Sequence, residues 1–213
     1  MRLEGSSVRE IEQRLGVARS SVSRWVSDIE LTSEQLADLE RRSGAGALAG
    51  SAVNAQRART RRREWQEEGR RRARAGNASY VGGCMLYWGE GSKGRSSVEL
   101  TNSDVPLVRV FADFLREHFD VPDESMRLRC NLFSDHVAHR CAIERHWLGA
   151  LQLPEASLLD SFVNRYSKSS QKKRTNSLPY GTARLAVHST RILQTIYGSI
   201  QELGDFDRPE WLH

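Results

Sequence analysis

One acidic residue stands in a setting that suits metal chemistry. Glu90 follows the apolar, glycine-rich stretch 80–89 and is itself followed by Gly91. Carboxylate oxygens are the ligands that Mg²⁺ prefers, and Mg²⁺ keeps bound waters that can attack phosphorus. From the residues alone, Glu90 could hold such a cation, or it could be an ordinary helix-terminal acid that pairs with Lys93.

Cysteine and histidine side chains form a second group of possible metal ligands. Cys130, His136, His139, Cys141 and His146 fall within seventeen residues, and the spacing of His136, His139 and Cys141 suits zinc. Cys130, however, falls on the inward phase of an alternating strand, and the spacing matches no recognised zinc finger, which favours a structural role. The sequence also lacks a glycine-rich phosphate loop, a nucleophile elbow and a dinucleotide fingerprint, so no small-molecule substrate is expected.

Basic residues are concentrated in two segments of a chain whose formal net charge is +5. Residues 57–76 contain nine Arg and three Glu, and residues 165–174 contain five Lys or Arg and no acid, so the remainder of the chain is acidic. This layout indicates a polyanionic partner, most often a phosphate backbone, with a solvated helix and a basic loop as the alternative. The candidate phosphate contacts are Arg57, Arg61, Arg62, Arg63, Arg70, Lys168, Lys172, Lys173 and Arg174.

Two short helices are predicted near the N-terminus. Ile11 and Leu15 recur at helical spacing, Gly16 can end the helix with a left-handed backbone, and Val22 and Trp25 belong to a second helix that Ser20 or Ser21 caps. The spacing resembles the helix-turn-helix of resolvases, transposases and repressors, with an ordinary helical hairpin as the alternative. The resemblance implies that Leu15 and Trp25 lie in the core and that the second helix enters the major groove. Its outer face would present Arg19, Ser20, Ser23, Arg24 and Ser27 to DNA.

A third helix is predicted to begin after Thr32, because Gln35 stands where a capping box needs it. The sequence GAGALAG at 44–50 is interpreted as a joint. Residues 51–75 then predict an Arg-rich helix whose only large apolar side chains are Val53 and Trp65, and such a helix has no stripe with which to pack deeply. It is expected to lie along DNA or to bridge two domains.

The second half of the chain predicts an α+β domain. Strands are expected at 97–101, 126–132 and 182–188, and helices at 80–89, 105–119, 138–151 and 189–203, because apolar residues alternate in the first set and recur at helical spacing in the second. An antiparallel sheet with one apolar and one polar face follows, and its polar ribbon can sit in a major groove. The polar face would carry Arg127, Arg129, Asn131, Arg184 and His188, together with Ser97 and Thr101.

The stretch GGCMLYWGEGSK, residues 82–93, resembles the motif of the LAGLIDADG family, and the elements after it fit that family's α/β saddle loosely. In the family's endonucleases the helix packs against its twin and ends in an acid that binds a divalent metal beside the scissile phosphate. The resemblance therefore implies that Glu90 is the catalytic residue and the Mg²⁺ ligand, and the sequence offers no second metal carboxylate with comparable support. With a single motif, it also implies a homodimer through the helix that contains Gly82 and Gly89. Met85, where the family often has Gly, and the long insert 153–180 depart from the pattern.

A family of bacterial sporulation-linked regulators joins similar parts in reverse order and only binds DNA. The expected function is therefore sequence-specific double-stranded DNA binding by a transcriptional regulator or repressor. The alternatives are a Mg²⁺-dependent endonuclease and, more weakly, an RNA-binding protein. Three parts are expected: a helix-turn-helix at 1–43, a connecting helix at 44–77 and a LAGLIDADG-like domain at 78–213. Three cysteines without a CxxC pair, the lack of a secretory leader and the lack of a long apolar stretch predict a cytoplasmic protein without a membrane partner.

Overall fold

The computed structural model describes residues 1–164 and 178–212, with the backbone alone for residues 43–49. The chain forms two compact units, residues 1–58 and 59–213. The candidate residues Lys168, Lys172, Lys173 and Arg174 lie outside the described residues. None of the helices in the described part of the chain combines the length and the apolar composition that a bilayer crossing requires.

The first unit opens with two short helices, α1 (Val8–Leu15) and α2 (Arg19–Trp25). The Ser7 side chain and the Glu10 side chain form a reciprocal capping box at the start of α1, and Gly16 ends it with a φ of 64°. The prediction that Ser20 or Ser21 caps α2 is wrong, because Ala18 occupies the cap position and no side chain bonds there.

The core of this helix pair is smaller than the sequence predicts. Ile11 and Val22 are buried, but the side chains of Leu15 and Trp25 are 50% and 61% exposed. Leu15 and Trp25 are the last residues of α1 and α2. Ile11 and Val22, which are buried, lie in the middle of the same helices. The expectation that Trp25 fills the core is therefore wrong.

A single 42-residue helix, α3 (Ser33–Arg74), follows. It begins as predicted: the Thr32 amide donates to Gln35 Oε1 over 3.0 Å, and the Gln35 amide donates to Thr32 Oγ1 over 3.3 Å. Residues 44–50, expected to form a joint, are helical. Each Gly costs a helix about 1 kcal/mol relative to Ala, but here the glycines alternate with Ala and Leu, the best helix formers. The helix contributes its first part to the first unit and its last part to the second.

The second unit contains the predicted helices and strands and one further strand. Its elements in chain order are α4 (Ala78–Glu90), β1 (Val98–Asn102), α5 (Val105–Phe119), β2 (Met126–Phe133), α6 (Arg140–Leu151), β3 (Phe162–Asn164), β4 (Thr182–Val187) and α7 (Thr190–Gly204). The stretch expected as an insert thus supplies the extra strand β3. The observed architecture is α+β, with helices packed on a small four-stranded sheet.

The sheet has the strand order β1-β4-β2-β3. β1, β4 and β2 pair antiparallel, and β3 pairs parallel with β2, so the sheet is mixed rather than wholly antiparallel as expected. Leu128 is paired with Leu185, and Leu185 with Leu100, so all three face the same side. Helices α4 to α7 cover that side and close the core with Tyr87, Phe111, Trp147 and Ile196, respectively.

The last part of α3 packs tightly against α7, although the sequence predicts that it cannot pack deeply. A Cβ atom added to Gly69 would lie 1.9 Å from the Thr195 carbonyl oxygen, and one added to Gly198 would lie 1.9 Å from the Gln66 carbonyl oxygen. The buried Gln66 amide donates to Gln194 Oε1 over 2.6 Å. Two glycines and a hydrogen-bonded pair of glutamines therefore replace the apolar stripe that the prediction required.

Candidate nucleic-acid interface

The sheet surface opposite the core carries the basic strand residues on one side, as the alternation predicts. Pairing across β1, β4 and β2 places Thr101, Arg184 and Arg129 in one row. We call this surface the polar sheet face and define it by Glu99, Thr101, Arg127, Arg129, Asn131, Thr182 and Arg184. His188 follows the last residue of β4 and is exposed, and Ser97 precedes β1.

Arg184 is held by a carboxylate on the neighbouring strand. Its Nε and Nη2 atoms lie 2.9 Å and 2.6 Å from Glu99 Oε2, while the Ser97 hydroxyl donates to Glu99 Oε1 over 2.6 Å. Burial by itself would raise the pKa of Glu99, but the Ser97 hydrogen bond and the Arg184 guanidinium outweigh it and lower that pKa. Glu99 is therefore a carboxylate at neutral pH, and the pair is ionic.

The other two guanidinium groups of the polar sheet face have no acidic partner among the described residues. Arg129 Nε is shielded from solvent and makes no hydrogen bond within the described part of the chain. Arg127 Nη1 instead donates to backbone carbonyls, among them that of Met126 over 3.3 Å. Three arginines thus share this face with one carboxylate, and the surface remains positive.

The outer face of α2 is polar and exposed, as predicted for Arg19, Ser20, Ser23 and Arg24. Neither arginine forms an ion pair with a residue that the structure describes. Ser27 lies beyond the end of α2, in the turn after Val26, where its hydroxyl donates to the Arg24 carbonyl over 3.0 Å. The expectation that Ser27 belongs to the exposed helix face is therefore wrong.

The five arginines of α3 that the sequence predicts as phosphate contacts fall into two groups. Arg57, Arg61 and Arg63 are exposed. Arg62 Nη1 donates to the Leu212 carbonyl over 2.9 Å, and Arg70 Nη2 lies 2.6 Å from Asp207 Oδ1. These last two side chains bind the C-terminal segment of the second unit, so only Arg57, Arg61 and Arg63 of the predicted set are exposed and without such a contact among the described residues.

Glu90 is exposed at the last residue of α4, where its Oε2 accepts a 3.1 Å hydrogen bond from Asn102 Nδ2. The ion pair with Lys93 that the alternative interpretation suggests is not among the contacts of the described residues, although the Glu90 charge acts on the Lys93 ammonium. Lys93 Nζ donates instead to the carbonyls of Tyr87, Trp88 and Gly91 over 3.1, 2.6 and 2.6 Å. An ammonium group therefore satisfies the carbonyl oxygens at the negative end of this helix.

The residues around Glu90 do not fit a Mg²⁺ ion within one chain. Asn102 presents its amide nitrogen to the carboxylate, because its Oδ1 accepts from the Ser103 and Asp104 amides over 2.7 and 3.0 Å. Lys93 occupies the nearby carbonyl oxygens. One carboxylate with a nitrogen donor and an ammonium group beside it is not the set of oxygen ligands that a hard cation requires. In the described residues, no three His, Cys, Asp or Glu side chains are grouped as metal ligands.

The cysteine and histidine residues considered for zinc have structural surroundings. Cys130 points into the core, and burial raises the pKa of its thiol to about 11, which disfavours the thiolate that zinc binds. His136 is buried, and its Nδ1 accepts from the Phe133 amide over 3.2 Å. His139 and Cys141 are exposed. The His146 ring stacks on the Tyr180 ring with a centroid distance of 3.8 Å, and no three of these side chains are grouped as metal ligands in the part of the chain that the structure describes.

The exposed face of α4 is rich in small residues. A Cβ atom added to Gly82 or Gly89 would meet nothing within 4 Å, and the Met85 side chain between them is 43% exposed. Gly83 faces inward, where an added Cβ would lie 2.0 Å from the Phe114 ring. A second copy of the chain could therefore reach Gly82, Met85 and Gly89, whereas Gly83 serves packing within the chain.

Sequence reasoning missed two contacts that shape these surfaces, that of Glu99 with Arg184 and that of Asn102 with Glu90. It indicated Lys93 as a partner of the Glu90 carboxylate and not of the carbonyl oxygens at the end of α4. Glu99 lies on the outward phase of β1, but its position beside Arg184 becomes visible only when the strand register is known.

Comparison of the chain with protein-family models, with curated proteins and with solved structures finds no match.

Proposed function

We propose that the chain is a sequence-specific double-stranded DNA-binding protein that acts as a cytoplasmic transcriptional regulator or repressor. The polar sheet face carries this proposal, because it presents arginine, asparagine and threonine side chains in rows across three antiparallel strands. Strands of this kind can enter the major groove and meet base edges at a two-residue period. Arg129 adds a specific reason: no acidic side chain among the described residues pairs with its guanidinium, so its charge is available to DNA.

The N-terminal unit supports the proposal independently. Helices α1 and α2, with Gly16 between them, resemble a helix-turn-helix, and Arg19, Ser23 and Arg24 lie exposed on the second helix. A DNA-binding protein with two such surfaces gains affinity because binding of the first raises the effective concentration of the second. The exposed Arg57, Arg61 and Arg63 of α3 suit contacts with phosphates.

Regulation is favoured over cleavage by the surroundings of Glu90. The Asn102 amide and the Lys93 ammonium at the end of α4 supply nitrogen groups where a divalent cation would need oxygens. The LAGLIDADG-like saddle is thus proposed as a DNA-binding platform. The endonuclease with Mg²⁺ at Glu90 remains the competing function that the experiment must separate.

The test begins with selection of bound duplexes from a random DNA pool by the full-length protein. Affinity for the selected duplex is then measured by fluorescence anisotropy over a range of salt concentrations. Arg129→Ala should weaken binding and lower the salt slope by about 1, because one phosphate contact is lost. Arg109→Ala is the matched control, since Arg109 lies on α5, on the covered side of the sheet, near Asp113.

Failure to enrich any duplex above the random pool would contradict the proposal, and preferential competition by RNA of the same sequence would favour the RNA-binding alternative. The selected duplex is also incubated at saturating protein with Mg²⁺ or Mn²⁺, for wild type beside Glu90→Gln. Intact duplex in both cases is the expected result. Cleavage by wild type that disappears in Glu90→Gln would replace the regulator with the endonuclease.

A further inference from the structure

Arg184 differs from every other arginine of the polar sheet face in the way it is held. Its Nε and Nη2 both point at Glu99 Oε2, and Ser97 fixes the other oxygen of that carboxylate. The Arg184 side chain is 26% exposed and that of Glu99 is 21% exposed, so both lie low on the surface. The guanidinium plane is therefore oriented before any ligand arrives.

The contact with Glu99 uses one edge of the guanidinium and leaves another edge available. Nη1 makes no hydrogen bond to a residue in the described ranges 1–164 and 178–212, and Nη2 retains its second hydrogen. These two N–H groups lie side by side at the terminal edge of the guanidinium. Their geometry matches two adjacent acceptors in one plane.

The charge of the pair decides which acceptor it prefers. Glu99 cancels the charge of Arg184, so the long-range attraction of this pair for a phosphate is small. A phosphate bound at the terminal edge of the Arg184 guanidinium would also approach the Glu99 carboxylate. Directional hydrogen bonds to a neutral base edge do not suffer this repulsion. Arg129, which has no acidic partner among the described residues, keeps its full charge and suits a phosphate.

The position of Arg184 agrees with contact to bases. It lies on β4, one of the two inner strands of the sheet, with Thr101 beside it on the edge strand β1 and Arg129 beside it on the other inner strand, β2. Side chains on an inner strand of a surface that enters the major groove can face the base edges. Guanine is the base that presents two adjacent acceptors there, O6 and N7.

We propose that Arg184 is a guanine-reading residue, oriented by Glu99 and Ser97 before DNA binds. This inference rests on the proposed DNA-binding function. It adds that the base is guanine, that Arg184 Nη1 and Nη2 contact it, and that Glu99 positions Arg184. Arg184 contacts the base, while Glu99 acts through Arg184.

The experiment combines protein variants with a single-atom change in the DNA. In the selected duplex, each guanine in turn is replaced by 7-deazaguanine, which lacks the N7 acceptor, and dissociation constants are measured at one salt concentration. For wild type, one position should weaken binding about five- to tenfold. In Arg184→Ala the same replacement should have no further effect, because the partner of N7 is already absent.

Three further variants separate base reading from charge. Arg184→Lys keeps the positive charge but removes the two parallel N–H donors, so it should lose the guanine preference. Glu99→Gln frees the charge of Arg184, so it should bind all duplexes more tightly and discriminate less between guanine and adenine at that position. Arg109→Ala should retain the full 7-deazaguanine effect. Thermal unfolding of each variant verifies that it is folded.

The outcomes test the guanine-reading role of Arg184 separately from the proposed DNA binding. If wild type binds its selected duplex and the 7-deazaguanine penalty at every position is unchanged in both Arg184→Ala and Arg184→Lys, the guanine-reading role is wrong and DNA binding stands. If Glu99→Gln keeps full discrimination, Glu99 does not position Arg184. If no duplex is enriched, both the function and the inference fail.

Discussion

The three cysteines occupy two different environments. Cys84 and Cys130 are buried in the core of the second unit, and burial raises the pKa of each thiol to about 11, whereas Cys141 is exposed on α6. The thiolate is the reactive form, and access is also required.

We therefore expect a colorimetric thiol reagent at neutral pH to modify Cys141 rapidly in the native protein and the other two only on unfolding. A Cys141→Ser variant provides the control, since it should show no rapid phase. Rapid reaction of two or more thiols in native wild type would show that the second unit opens more readily than its packing indicates. Mass spectrometry of the labelled peptides identifies the site.

At the scale of elements, the crossing of α3 and α7 depends on two glycines. A methyl group at Gly69 would overlap the backbone of Thr195, which cannot move as a flexible side chain can. Gly69→Ala should therefore destabilise the protein by about 2–4 kcal/mol, as overpacking against backbone does. Urea unfolding followed by circular dichroism measures the change.

Gly82→Ala is the matched control, because Gly82 is also in a helix but has open space where the methyl group would go. Replacing an exposed helical glycine by alanine should stabilise the fold by up to about 1 kcal/mol. Equal stability of Gly69→Ala and wild type would contradict the tight crossing.

The two basic helical segments should affect DNA binding differently. Arg19→Ala or Arg24→Ala on α2 should cost about 1–3 kcal/mol on the selected duplex and relax sequence preference, if either side chain reads a base. The triple change of Arg57, Arg61 and Arg63 to Ala should weaken all duplexes alike and flatten the salt slope. The comparison is made by anisotropy on selected and scrambled duplexes. An unchanged affinity of the triple variant at low salt would show that these side chains are merely solvated.

Periodicity predicted the elements of the second unit well, because their apolar residues face one common core. Helix α5 has the predicted bounds, Val105–Phe119, and β2 begins at Met126 as expected. The packing of α3 escaped prediction, since its contacts are made by Gln66, Gly69 and Ala73 rather than by large apolar side chains. These three residues are spaced by three and four positions within an Arg-rich run, and this helical spacing is the sequence signal that could have predicted the buried face of α3.

The candidate site was predicted less completely than the fold. Alternation placed Arg129 and Arg184 on one face, but the pairing of Arg184 with Glu99 follows from strand register, which depends on contacts distant in sequence. The same limit applies to Glu90, whose partner Asn102 comes from the end of another element. Composition could not show that Arg62 and Arg70 bind the C-terminal segment.

For the whole molecule, the exposed face of α4 predicts that two copies assemble on DNA. The face of α4 with Gly82, Met85 and Gly89 is exposed and suits close approach of an identical helix. We expect wild type to dimerise on a near-palindromic duplex and Met85→Glu to remain monomeric, because two carboxylates would meet at the symmetric contact. Analytical ultracentrifugation of the complexes measures the stoichiometry.

Val110→Glu is the control for the added charge, since Val110 is 58% exposed and lies on a different helix, α5. It should dimerise as wild type does. A wild-type protein that stays monomeric on saturated DNA would exclude this homodimer and leave asymmetric recognition by the two units of one chain.

The hydrogen bond between Asn102 and Glu90 also has an evolutionary consequence. Asn102 Nδ2 donates to the carboxylate over 3.1 Å, and an aspartate at this position would differ by one atom, an oxygen in place of that nitrogen. Asn102→Asp would set two carboxylates side by side, whose repulsion a divalent cation relieves, so calorimetric titration should detect tighter Mg²⁺ binding by this variant than by wild type. A single nucleotide change in an asparagine codon separates the two residues, and a lineage could thus move between DNA-binding and metal-binding forms without rebuilding the fold.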